Sequence, residues 1–139
     1  DGENDEGQIW EAAMYAPNYK LDNLIVFLDW NKKQIDGMNE QVMKLGDLTE
    51  KYRVFGWNSK LIDGNNPEII YNSVLETVKL SFDKPSIFIL DTVKGAGIPC
   101  IEKIENNHCI GLPKDLVNQC MFELEQQRLS ISGGDKYGG

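Results

Sequence analysis

An α/β fold with a mostly parallel sheet and flanking helices is predicted by three features of this sequence. Two short segments, the unbroken apolar run Leu24-Ile25-Val26-Phe27-Leu28 and the largely apolar Ser86-Ile87-Phe88-Ile89-Leu90, read as strands buried on both faces. Segments with apolar residues at helical spacing alternate with the strands, which is the pattern of parallel-sheet proteins. Turns bearing Gly, Pro, Asn and Asp separate the two kinds of segment.

The elements follow in order. Residues Gly7 to Tyr15 predict a helix, since Ile9, Ala12, Ala13 and Ala16 recur at helical spacing. Asp5 and Glu6 lie near its N-terminus, where negative charge is favoured, and Pro17 ends or kinks it. The strand Leu24 to Leu28 is bounded by Asp22-Asn23 and Asp29. Residues 31 to 46 read as loop, punctuated by Gly37 and Gly46. Asp47 is an N-cap for a helix through Tyr52 to Phe55, and Gly56 is its stop. Asn58 to Ile62 is a short strand, and Asp63-Gly64-Asn65-Asn66 is a turn. Pro67 opens a helix to about Phe82, with Ile70, Val74, Leu75 and Val78 on one face. After the strand Ser86 to Leu90 comes a long Gly-containing loop, Thr92 to Pro113, of a length that is uncommon without a function. Lys114 to about Gln127 is a last helix with Leu116, Val117, Cys120, Met121 and Leu124 as its apolar stripe.

A chain of 139 residues is one domain by length and can bury a real core. We expect that domain to occupy residues 1–129, with the Gly- and Ser-rich residues 130–139 as a flexible tail. The net charge of −8 argues against nucleic acid or an anionic membrane surface as the main partner. No apolar run is long enough to cross a membrane as a helix. Three cysteines, Cys100, Cys109 and Cys120, form no CxxC pair, which fits a reducing cytoplasm and a structural role. With His108 as the single histidine, a His/Cys zinc site is poorly supported.

The stretch richest in chemistry is Asp1 to Gly37. An acidic residue on a Gly-containing turn, Asp1-Gly2, precedes a helix, and a second oxygen donor, Asn31, stands just past the strand that follows. A carboxylate and an amide oxygen can share one hard cation, and a Gly turn lets backbone N–H groups approach a phosphate. Ligands in such sheets sit beyond the carboxyl ends of strands. Asp29 to Lys33 and Asp91 to Gly97 both follow strand ends and are expected to line one pocket, joined there by Asp1.

This stretch resembles the thiamine-diphosphate signature, Gly-Asp-Gly followed at a set distance by Asn. More narrowly, Glu6-Gly7-Gln8, Trp10-Glu11-Ala12-Ala13, Tyr19-Lys20-Leu21-Asp22-Asn23-Leu24-Ile25 and Gln34-Ile35-Asp36-Gly37 are similar to transketolase words. The resemblance runs to about residue 125. It implies the diphosphate domain of the thiamine-diphosphate-binding fold. The cofactors would be thiamine diphosphate and Mg²⁺, with Ca²⁺ or Mn²⁺ as possible substitutes. By resemblance Asp1, Asn31 and the main-chain carbonyl of Lys33 would hold the metal. Gly2 would face the diphosphate, Ile35 would touch the aminopyrimidine, and the Lys94-Gly95-Ala96-Gly97 loop would close on the diphosphate through Lys94 and Gly97. Glu6 and Glu11 would join a hydrogen-bonded network near the cofactor at a subunit interface. Catalytic roles would fall to Glu6 and His108. The implied reaction moves a two-carbon ketol unit from a ketose phosphate to an aldose phosphate, as in the pentose phosphate pathway, in a cytoplasmic oligomer, with sugar phosphates as substrates.

Two departures qualify the match. The first Gly of the motif is missing because the chain opens at Asp1 without an initiator Met, so an N-terminally truncated piece of a longer protein is expected. Family members carry a His-Gly element after the loop, but aligning on Gly111 puts Ile110 where that His belongs, with His108 two residues earlier. The pyrimidine-binding half is not in this sequence, which resembles the N-terminal subunit of a split transketolase whose other half is a C-terminal partner; an arbitrary cut of a longer gene fits as well. Three other readings stay open. The chain can belong to another thiamine-diphosphate enzyme, of the deoxyxylulose-phosphate synthase or 2-oxo acid dehydrogenase type. It can also be a non-catalytic assembly subunit, or a plain α/β phosphate binder.

Overall fold

The computed structural model describes residues 1–80 and 83–134, and two compact units divide the chain after Thr92.

The first unit is organised by a three-stranded parallel sheet in the order β1-β5-β4, where β1 is Ile25–Trp30, β4 is Asn58–Asp63 and β5 is Ser86–Asp91. Register runs from Ile25 and Asn58 opposite Ser86 to Trp30 and Asp63 opposite Asp91, so the three strands end level. The central strand carries the most apolar segment, and Ile87, Phe88 and Ile89 are each 1% exposed. Burial of this kind contributes about 1.5–3 kcal/mol per side chain. Leu28, Ile87 and Ile89 share one core with Ala13, Ala16, Leu45, Leu48, Tyr52 and Trp57. Alternation along the strands sends Phe27 and Phe88 to the other face, where their rings stack 5.7 Å apart.

Helix α1 (Gly7–Asn18) reaches one turn further than its apolar spacing predicts. Pro17 lies in its last turn, and the helix ends there as expected. Its small residues Ala13 and Ala16 bring the backbone close enough for buried Trp57 to donate from Nε1 to the Ala13 carbonyl at 2.7 Å. Helix α3 (Leu48–Phe55) begins and ends as its sequence dictates. Asp47 accepts from the Glu50 amide at 3.0 Å, and Gly56 takes the left-handed stop at φ 105°. Helix α4 (Pro67–Leu80) starts at the expected proline; Thr77 rather than Val78 is the buried residue of its last turns. The expected continuation of that helix to Phe82 lies outside the described residues.

The region read as loop between residues 31 and 46 holds a small antiparallel hairpin, β2 (Lys33–Gln34) with β3 (Gly37–Met38), and a one-turn helix α2 (Asn39–Val42).

The second unit contains a one-turn helix α5 (Pro99–Glu102) within the expected loop, and a long helix α6 (Lys114–Gly134). Helix α6 continues through residues 130–134, where the expected tail begins; the rest of that expected tail, 135–139, lies outside the described residues. Of the expected apolar stripe on α6 only Cys120 is buried, and Met121 is 63% exposed. Among the described residues no helix is long and apolar enough to cross a membrane.

Candidate functional site

The carboxyl end of β1 and the residues just after it are stitched to the N-terminal turn by three hydrogen bonds. Residues Gly2–Asp5 form a 3-10 turn capped by Asp1, whose Oδ1 accepts from the Gly2 amide at 3.2 Å. The backbone nitrogen of Asp1 donates to the Asp29 carbonyl at 3.0 Å. Its Oδ2 accepts from the Lys32 amide at 2.7 Å. Further along the turn, Asp5 Oδ2 accepts from Gln34 Nε2 at 2.9 Å. The Asp1 carboxylate therefore lies on the residue between Asn31 and Lys33, the two other expected metal ligands.

Asn31 is buried, and its amide is oriented at both ends. Nδ2 donates to Asp29 Oδ2 at 2.9 Å, and Oδ1 accepts from the Lys33 amide at 3.0 Å. Asp29 also accepts from the Thr92 hydroxyl. Lys32 adopts φ 68°, a left-handed conformation that costs a residue with a Cβ about 1–2 kcal/mol. Non-glycine strain of this kind is retained where surrounding bonds over-determine it, often at functional sites. Here the Lys32 amide is held by Asp1, its carbonyl accepts from Asn39 N at 3.0 Å, and Nζ pairs with Asp91 Oδ1 at 2.6 Å.

Asn4 is a hub that sequence reasoning missed, since an Asn in a polar, Gly-bearing run reads as an ordinary turn residue. It is 5% exposed. Its Oδ1 accepts from the Tyr52 hydroxyl at 2.9 Å, and its carbonyl accepts from Trp10 Nε1 at 2.8 Å. Burial pushes the Tyr52 hydroxyl above its ordinary pKa, so it stays the donor.

The remaining expected residues of the first unit lie on its surface. Gly2 is half-buried, and a Cβ built there would meet only the Gln34 side chain at ordinary contact distance. Ile35 sits in the tight turn joining β2 to β3 and is 70% exposed, so it is not a core residue of this chain. Glu6 occupies the cap position of α1 and accepts from Gln8, while Glu11 lies a turn further on; both are exposed.

In the second unit, the Lys94–Gly97 loop is fixed by side chains rather than by sheet. Buried Asn107 donates from Nδ2 to the carbonyls of Lys94 and Ile101, at 2.9 and 3.0 Å. The Gly97 amide donates to Glu102 Oε1 at 2.8 Å, and the Gly97 carbonyl accepts from Gln127 Nε2 at 2.7 Å. Gly95 has φ 85°, and a Cβ there would fall 2.7 Å from Ile101 Cγ2, so only glycine fits. His108 is exposed beside buried Asn107, and Ile110 is half-buried.

Among the described residues no group of three or more His, Cys, Asp or Glu is placed to hold a metal. A cation at the first unit's site would therefore take one carboxylate from Asp1, neutral oxygens from Asn31 and Lys33, and the rest from its ligand. That donor set suits Mg²⁺, which prefers few protein carboxylates together with phosphate oxygens.

Comparison with known proteins adds the following. The family described as transketolase, thiamine diphosphate binding domain, matches residues 1–128. A 6-deoxy-6-sulfo-D-fructose transketolase subunit from Clostridium sp. (strain MSTE9) is 43% identical over 127 residues, covering 91% of this chain and 46% of that protein. An apulose-4-phosphate transketolase subunit from Actinobacillus succinogenes is 40% identical, covering 91% of this chain and 45% of the relative. The chain thus spans about half the length of the curated relatives it matches. The crystal structure of transketolase from Campylobacter jejuni is similar in fold, with a TM-score of 0.78 at 24% identity, covering 90% of this chain and 19% of that one.

Proposed function

This chain belongs to the transketolase family, whose matching domain binds thiamine diphosphate, and from that premise we propose that it supplies the metal–diphosphate half of the cofactor site for two-carbon ketol transfer between sugar phosphates. The observation that carries the reading is the Asp1 carboxylate on the Lys32 amide, between Asn31 and Lys33, where the strands of a parallel sheet end.

Asp1 Oδ, Asn31 Oδ1 and the Lys33 carbonyl would hold Mg²⁺. The Gly2 amide would face the diphosphate, and by family resemblance Lys94 and Gly97 are assigned to cofactor binding as well. Ile35, exposed at its hairpin tip, is available to an aminopyrimidine ring. Glu6 and Glu11, exposed at the start of α1, are available to a second subunit. His108 is the residue we assign to the sugar-phosphate substrate. When bound, thiamine diphosphate supplies the carbon nucleophile and electron sink that the side chains of this chain lack. The chain's own task is to bind and orient. The glutamate and ring pocket for the pyrimidine would come from a C-terminal transketolase half, carried by a partner chain or by a longer version of this one. Alone, the 139-residue chain is expected to be inactive. The names of the relatives mention 6-deoxy-6-sulfo-D-fructose and apulose 4-phosphate, so anionic ketoses are the first substrates to assay.

The test is a thiamine-diphosphate titration of this chain co-expressed with its candidate partner half, with and without magnesium, followed by tryptophan fluorescence. Trp30 adjoins Asn31 and should report. A magnesium-dependent signal that vanishes in Asp1→Ala and Asn31→Ala is expected. Absence of any signal from folded, assembled protein would favour the assembly-subunit reading.

A further inference from the structure

Two of the three thiols lie against each other, although twenty positions separate them in sequence. Cys100 Sγ, in the only turn of α5, is 3.2 Å from Cys120 Sγ on the second turn of α6. The pair is held from the side as well: Glu123, one turn beyond Cys120 on α6, accepts the Cys100 amide hydrogen at 3.0 Å. Cys120 is buried and Cys100 is half-buried, so an oxidant reaches the pair from the Cys100 side. The third thiol, Cys109, is exposed.

We propose that Cys100 and Cys120 form a thiol–disulfide site, oxidised by peroxide, that covalently joins α5 to α6. Closing from 3.2 Å to a bond of about 2.05 Å needs side-chain movement of about an ångström, and no change of fold. The Cys100 thiolate attacks the peroxide O–O bond, gaining one oxygen as a sulfenic acid while the other oxygen leaves and, taking up a proton, becomes water. The Cys120 sulfur then attacks the sulfenic sulfur. The S–O bond breaks, the thiol proton goes to the departing hydroxide, and a second water leaves. Two thiols lose two electrons and two protons, and one peroxide becomes two waters. Burial, the Cys120 thiol and the Glu123 carboxylate together push the Cys100 thiol up to about 12. The first step is therefore slow at neutral pH and faster in alkali. The bond would frame the Lys94–Gly97 loop, since Glu102 of α5 and Gln127 of α6 hold the two sides of Gly97. This inference does not depend on the proposed function.

Peptide mapping tests it directly on the wild-type chain. After brief hydrogen peroxide treatment and alkylation, trypsin should release residues 95–103 disulfide-linked to residues 115–128, and residues 104–114 with Cys109 unlinked. The link should form faster at alkaline than at neutral pH and vanish on reduction. In Cys120→Ser, a cyclic diketone should trap sulfenic acid at Cys100. Linkage through Cys109, or alkylation of Cys100 and Cys120 undiminished by peroxide, would overturn the proposal. So would a peroxide-treated Cys120→Ser chain with no adduct at Cys100.

Discussion

Asn31→Asp separates the structural work of this residue from its proposed metal work. The change keeps an oxygen where Oδ1 accepts from Lys33, and replaces the Nδ2 donor by a charged oxygen facing Asp29 Oδ2 at 2.9 Å. Loss of a hydrogen bond to a charged group removes about 1.5–3 kcal/mol. Two like charges at that distance repel by about 1 kcal/mol in a water-like dielectric and about 6 kcal/mol at an effective dielectric of ~20. Asn31 is 8% exposed whereas Asp29 is open to solvent. Rotation of the carboxylates apart relieves part of the repulsion. The expected net cost is about 3–5 kcal/mol without metal, against about 2–3 kcal/mol for Asn31→Ala, which loses both hydrogen bonds but adds no charge. Urea unfolding of the metal-free chain reads both values. If Asn31→Asp unfolds at the wild-type midpoint, the pairing with Asp29 is wrong. Magnesium with thiamine diphosphate, added to the assembled pair, should stabilise wild type and Asn31→Asp more than Asn31→Ala. Equal stabilisation of Asn31→Ala and wild type would remove Oδ1 from the ligand set.

Three further outcomes are expected. Trp57→Phe leaves the Ala13 carbonyl without its 2.7 Å donor and a void in the main core, and should cost about 2–4 kcal/mol in urea unfolding; a loss below about 1 kcal/mol would mean the indole is not fixed there. Gly95→Ala sets a Cβ against Ile101 at φ 85°, and should raise protease cleavage between residues 93 and 113 while leaving residues 1–92 resistant. Tyr52 has a pKa raised by burial, so its contribution to stability is complete below the ordinary tyrosine value of about 10 and is lost as pH rises through the higher folded value. Tyr52→Phe should flatten that alkaline loss and cost about 1 kcal/mol at neutral pH, since Asn4 Oδ1 loses its donor; an unchanged alkaline slope would assign it elsewhere.

Local rules made much of the framework legible. The Asp47 cap, the Gly56 stop and the Pro67 start are each decided within a few residues, and each element boundary followed them. The strands were legible because residues buried on both faces need unbroken apolar runs. Three features escaped for identifiable reasons. The hairpin at residues 33–38 has strands of only two residues, and its two-residue turn is Ile35-Asp36, so the Asp36-Gly37 pair sits one position later than the usual Asp-Gly hairpin turn. Helix α6 runs through Ser130 and on to Gly134 although serine and glycine are weak helix formers. The thiol pair and the Asn4 hub join positions far apart in sequence, and no periodicity reports such contacts. At the candidate site, Asp1, Asn31 and Lys33 were nominated from the motif. The docking of Asp1 on the Lys32 amide was not legible, because it involves a left-handed residue that the sequence writes as an ordinary lysine.

The charge pattern at the sheet end explains why a diphosphate would need a cation here. Asp63 and Asp91 finish adjacent strands in register, and Asp29 lies one residue before the end of the third. Asp1 docks onto the same edge. Lys32 is a cation tied to this edge, and its ammonium is already engaged by Asp91. A bare diphosphate approaching four carboxylates would meet net repulsion, and the overall charge of −8 reinforces it. A divalent ion would reverse the local sign: in the proposed site it would draw on Asp1 and two neutral oxygens and leave its other positions to phosphate. A metal-free phosphate site would instead be lined by unpaired Lys or Arg and free backbone N–H groups. Here the Lys32 amide is turned to Asp1 and the Lys33 amide to Asn31. The acidic edge therefore favours a metal-bridged diphosphate over a plain phosphate binder, and weak phosphate affinity without a divalent ion is the corresponding expectation.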